Sequence, residues 1–138
     1  VSAGGPSQAN QAALEAETNQ DTYAPPDLMK HHPGVAKAWC DWTQISTQTI
    51  NASYNITSIT DEATGHTTIT LATDMSSVNY AVAGGGGGRG SAGPATRWML
   101  MAHTDDPTVT AYRVRCVNDG DSSFDVEHCH VVFFGDQS

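Results

Sequence analysis

Charge is scarce in this chain, and positive charge is scarcer still. Only 15% of the 138 residues are charged, and six Lys+Arg stand against fifteen Asp+Glu, for a formal net charge of -9. The clustered cations that neutralise a phosphate backbone or an anionic lipid surface are missing, which argues against nucleic acid and membrane surfaces as partners. No apolar run approaches the roughly 18–20 residues of a bilayer span, and no basic-then-apolar segment opens the chain, so the sequence predicts a soluble protein without membrane insertion. Cysteine occurs three times, at Cys40, Cys116 and Cys129, an odd number with no C-x-x-C spacing. Neither a closed disulfide framework nor a zinc ribbon fits that pattern. Free cysteine behaves as a small buried side chain, so all three are expected in the core, with a Cys116–Cys129 bridge between neighbouring strands as the other option.

What is abundant is Thr, Ser, Gly, Asn and Asp, the composition of short strands and turns. At 14.6 kDa the chain has room for one core. Two parts are expected: a connector over 1–34 and a β domain over 35–138. The connector holds the one helical stretch, Gln8 to Glu17, which at about ten residues is too short to stand alone in water. Its apolar positions Ala9, Ala12, Ala13 and Ala16 are small and suit close approach to a neighbouring chain. Pro25, Pro26 and Pro33 then favour an extended strap. From Val35 onward, alternation and regularly spaced turn signals predict an all-β antiparallel sandwich of about seven strands, near 36–43, 48–59, 67–72, 78–83, 96–103, 109–117 and 124–134. Gly65 supplies the positive φ for the hairpin between the segments ending at Thr60 and starting at Thr67. Met99 and Met101 lie opposite Trp98 and Leu100, so that strand is apolar on both faces, as expected of a central strand or of one covered by another subunit. The last strand places Val126, His128, His130, Val132 and Phe134 on one face, with Cys129, Val131 and Phe133 on the other.

Several clusters invite chemistry. The run Gly84 to Gly93 lacks the Lys-[Ser/Thr] and following helix of a phosphate-binding loop, which leaves an excursion between strands or a mobile contact loop carrying Arg89. His128-x-His130 sets two imidazoles on one strand face, where they form either a packed pair or ligands for a transition metal. His103-Thr-Asp105-Asp106 is explained by turn chemistry as well as by acid/base function, and His31-His32-Pro33 reads as a strap element, its rings packing on Trp39 or Trp42, in preference to a metal site. No nucleophile-elbow, His-Glu-x-x-His or Ser/His/Asp pattern occurs, so no enzyme is expected. For glycan contact, aromatic faces with planar polar groups are needed, and Trp42, Asn79 and Arg89 are the first candidates. The net negative charge favours a target that is neutral or is met through local contacts. Sequons at Asn51 and Asn55 matter only in a eukaryotic secretory route, which nothing in the sequence supports.

Two blocks carry a resemblance. Gln11-Ala-Ala-Leu-Glu-Ala-Glu-Thr18, Tyr23-Ala-Pro25 and His32-Pro-Gly-Val-Ala-Lys-Ala-Trp39 resemble the junction of bacteriophage tail-fibre and related virion-fibre proteins. Ala52-Ser-Tyr-Asn-Ile-Thr-Ser-Ile-Thr-Asp61, Asn79-Tyr80 and Phe134-Gly-Asp-Gln137 resemble their tip domain. The resemblance implies a homotrimeric, adhesive structural fibre of a phage or of a phage-like gene transfer agent, mounted on tail or capsid among other virion proteins and assembled in the bacterial cytoplasm. Its β-rich tip would touch host surface polysaccharide. It also makes a metal at His128 and His130 worth testing, since some trimeric fibres bind axial iron through His-x-His. The Gly84–Gly93 run departs from the pattern in its length. For trimer contacts the candidates are Ala12, Ala13, Ala16, Met99, Met101 and Phe133. A capsid decoration protein without receptor role and a glycan-degrading tip are the competing readings; the latter would need two carboxyl groups about 5–9.5 Å apart in a cleft.

Overall fold

The protein was analysed as a computed structural model, which describes residues 6–18, 21–87, 99–102, 106–118 and 120–138, and of 99–102 the backbone. The alternating segments pair into all-β architecture. In chain order the elements are β1 (Ser7–Gln8), α1 (Gln11–Ala16), β2 (Thr22–Tyr23), a 3-10 turn (Met29–His31), β3 (Ala38–Thr43), β4 (Thr49–Tyr54), β5 (Ile56–Ala63), β6 (His66–Leu71), β7 (Ala81–Gly87), β8 (Met99–Ala102), β9 (Ala111–Val117) and β10 (His128–Phe134). Two four-stranded antiparallel sheets, ordered β4-β3-β10-β7 and β5-β6-β9-β8, are preceded by a two-residue parallel pairing of β1 with β2.

Period-two patterning explains which residues meet between the sheets. Ala38, Cys40 and Trp42 of β3 and Cys129, Val131 and Phe133 of β10 share one core with Ile69 and Leu71 of β6 and Val114 and Cys116 of β9. Within it, the Thr67 hydroxyl donates to Gln48 Oε1 at 2.6 Å and accepts from Trp42 Nε1 at 3.3 Å and Gln44 Nε2 at 3.0 Å. Buried polar groups are tolerable because each finds a partner. All three cysteines are buried and unbridged, and the Cys116 and Cys129 Sγ atoms stand 3.9 Å apart. The hydrogen-bonding contact with Cys116, and after it burial, push the Cys129 thiol far above its ordinary range.

Several expectations need correction. The stretch 48–59 is two strands: Asn55, at φ 57, breaks it, and β4 and β5 belong to different sheets. Asparagine tolerates the left-handed region, and the Asn55 amide anchors the crossing by donating to the Lys37 carbonyl at 3.0 Å. The glycine run is no mere excursion, because Gly84–Gly87 extend β7 and pair with β10. The last strand begins only at His128, so Val126 is wholly buried and does not share the face of the two histidines. The strand containing Met99 and Met101 is an edge strand, paired with β9 in this sheet. The side chains of Met99 and Met101 lie outside the described residues. Phe133 does not face outward to a partner: it is wholly buried in its own chain, where the Tyr80 and Tyr112 rings lie 6.1 and 5.8 Å away. Gly65 does take a positive φ, of 73°, and a Cβ there would meet the Phe124 amide nitrogen at 2.6 Å.

In the connector, α1 has six residues, capped by Asn10, whose side chain accepts from the Ala13 amide at 2.9 Å. It buries Leu14, and Ala9 just before it; Ala12 and Ala16 are exposed and Ala13 is half-buried. Of the alanine stripe, only Ala12 and Ala16 are therefore left exposed, while Ala9 and Ala13 pack on their own chain. Lys37 closes the junction to β3, with its buried ammonium donating to the carbonyls of Lys30 and His32.

Candidate functional site

The outer face of the β4-β3-β10-β7 sheet carries the best-formed site. In antiparallel pairing, residues opposite one another share a face. One cross-strand row runs Tyr54, Trp39, Val132, Ala83, and the next runs Ala52, Asp41, His130, Gly85. Trp39 and Tyr54 are among the exposed large apolar side chains, at 40% and 55%. They form an aromatic shelf on two neighbouring strands.

Beside the shelf lies a polar cluster. His130 Nδ1 is 2.7 Å from Asp41 Oδ2, and the Asn51 amide donates to Asp41 Oδ1 at 2.7 Å. With both oxygens engaged, the carboxylate is held in place, and pairing through Nδ1 leaves Nε2 of His130 for a further hydrogen bond. His128, two residues earlier, stacks parallel to His130 with ring centroids 6.5 Å apart. Trp39, Asp41, His130 and Val132 border an open groove of about 580 Å³ whose other side is Ala83, Gly84 and Gly85. Glycine matters there for its missing side chain: a Cβ on Gly85 would meet no atom within 4 Å. The glycine run thus leaves space beside the aromatic and polar groups. An apolar plane, paired donors and acceptors, and an open groove suit a ligand with both C–H faces and hydroxyls.

The residues picked from the sequence fall differently. Trp42 is wholly buried and offers no surface to a glycan, because it sits on the inner face of β3 and is bonded to Thr67. Asn79 is exposed in the segment before β7, and its amide donates to Ser77 Oγ at 3.1 Å. It is not among the residues bordering the groove. Arg89, His103 and Asp105 lie outside the described residues. His128 and His130 do share the outer face, and both are exposed. The one three-residue group of metal-ligating side chains among the described residues is elsewhere, at Glu15, His31 and Asp136. Sequence reasoning held Trp39 and Tyr54 only within a wider pool of aromatic candidates that also included Trp42, Tyr80, Trp98 and Tyr112, and it missed Asp41 and Asn51. The signal available was the two-residue spacing of Trp39 and Asp41, which places both on the face opposite Trp42.

No helix among the described residues is long and apolar enough to cross a membrane. No family model, curated protein or solved structure matches the chain.

Proposed function

We propose that this protein is a non-enzymatic, glycan-binding tip module of a homotrimeric virion fibre, and that the outer face of β4-β3-β10-β7 is its contact surface for host polysaccharide. The paired sheets are read as a β-sandwich, and the helix and strap before them as the connector to the particle. The observation that carries the reading is the juxtaposition of the exposed Trp39 ring with the Asp41–His130 and Asp41–Asn51 hydrogen bonds beside a groove bordered by Gly84 and Gly85. Sugar C–H faces pack on aromatic rings, while their hydroxyls need paired donors and acceptors. The net charge of -9 favours a neutral polymer over an acidic one. Trimer formation rests on the fibre resemblance and the exposed alanines of α1, since Phe133 no longer supports it.

Incubating the purified protein with host surface polysaccharide tests the reading. Retention of the polymer at unchanged length, together with a trimeric mass in solution and density for the protein on particle fibres, is the expected result. Shortened chains would point to a degrading tip. Density on the capsid without polymer binding would point to a decoration protein.

A further inference from the structure

We propose that Glu15, His31 and Asp136 form a binding site for a divalent transition cation of the zinc class, which ties the N-terminal connector to the end of the chain. One ligand atom of each residue lies within 4.8 Å of the other two. The three come from separate segments: α1, the 3-10 turn and the stretch after β10. One imidazole nitrogen and two carboxylate oxygens leave a fourth position for water, a donor set that suits zinc. The imidazole disfavours magnesium and calcium, which take oxygen ligands.

The Glu15 carboxylate is itself hydrogen-bonded, and the backbone at His31 and Asp136 is fixed by hydrogen bonds. Glu15 Oε1 accepts from Gln11 Nε2 at 2.7 Å, the His31 amide donates to the Leu28 carbonyl at 3.0 Å, and the Asp136 carbonyl accepts from the Ser76 amide at 2.8 Å. Of these, only the Gln11 bond acts on a ligand group, orienting the Glu15 carboxylate before a metal arrives. The Lys37 ammonium is close enough to feel both carboxylates, which offset part of the lowering that burial imposes on it. Its own hydrogen bonds go to the Lys30 and His32 carbonyls, so it tempers the affinity without occupying the ligand atoms.

The physical need for such a tie is visible in the connector, whose buried apolar side chains among the described residues are few: Ala9, Leu14 and Pro25. A segment of that size has too little core to hold itself in place, and a metal ligated from both ends supplies the missing free energy. The site shares no residue with the groove, so it stands or falls apart from the glycan reading.

The test is calorimetric titration of zinc chloride into the chelator-treated full chain, with magnesium chloride as the comparison. It is paired with trypsin cleavage after Lys30 in the presence and absence of zinc. The expected result is one zinc per chain, no magnesium binding and slower cleavage with zinc. His31→Ala and Glu15→Gln should each weaken zinc binding by at least an order of magnitude, with far-UV dichroism unchanged, while His128→Ala leaves it intact. Absence of a one-to-one site, binding that survives both His31→Ala and Glu15→Gln, or loss with His128→Ala would overturn the proposal.

Discussion

Trp39 and Trp42 lie three residues apart on β3 and face opposite sides of their sheet: Trp42 is wholly buried, while Trp39 is 40% exposed. An odd separation on a strand sends two side chains to opposite faces, and a register shift in the pairing with β4 between Asp41 and Trp42 does not undo this. The two indoles therefore do different work. Trp42→Ala should destabilise the protein by about 3–5 kcal/mol, through lost packing and the lost hydrogen bond to the Thr67 hydroxyl. Trp39→Ala should cost about 1 kcal/mol or less. Urea denaturation measures both; equal losses would place the two rings in equivalent surroundings.

The groove can be filled without disturbing the fold. Gly85→Leu adds a side chain where a Cβ meets nothing within 4 Å, and the position has no positive φ that would strain it. Polysaccharide retention should fall while the unfolding free energy stays within about 0.5 kcal/mol of the parent. Undiminished retention would mean that the ligand does not enter beside β7.

Thr67 joins the two sheets through its hydroxyl. Thr67→Val keeps the shape but deprives Trp42 Nε1 and Gln44 Nε2 of their acceptor and Gln48 Oε1 of its donor, at a cost of about 1–3 kcal/mol. Thr67→Ser retains the oxygen and should recover part of that loss. Chemical denaturation of the two variants side by side reads the difference.

Alkaline pH should loosen the core. Burial pushes the Cys40 thiol from 9.0 up to about 11 and the Tyr80 phenol from 10.0 up to about 12. Both groups are held neutral in the fold but ionise earlier in the unfolded chain, so their contribution is intact below pH 9 and is lost as pH climbs through 11 and 12. Tyr80 OH also donates to the Thr108 carbonyl at 2.9 Å, so Tyr80→Phe should lower stability at pH 7 by about 1 kcal/mol. The same variant should show a shallower decline between pH 10 and 12. A decline as steep as that of the parent would assign the alkaline loss to other groups.

The fold was legible wherever alternation was strict. The run from Thr67 to Leu71 and the inner trio Cys129, Val131 and Phe133 of β10 show burial that follows sequence period directly. It was not legible at Asn55, where one asparagine in a left-handed conformation hands the chain from one sheet to the other within a continuous β-rich run. Gly84–Gly87 misled in the opposite sense, because glycine has weak intrinsic strand preference and its pairing with His128–Val131 is imposed by the neighbour. Recognising the groove needed cross-strand register, which joins Asp41 to His130, 89 positions apart. No local spacing encodes that pairing. The same holds for Glu15, His31 and Asp136, which tertiary packing alone assembles.

Titration of host surface polysaccharide against the parent protein and Trp39→Ala, followed by calorimetry, tests the central claim most directly. The account predicts saturable binding by the parent and binding weakened at least about tenfold in the variant, equivalent to about 1.4 kcal/mol, with the unfolding midpoint preserved. Equal affinity of the two proteins would contradict it and move the contact surface away from this sheet.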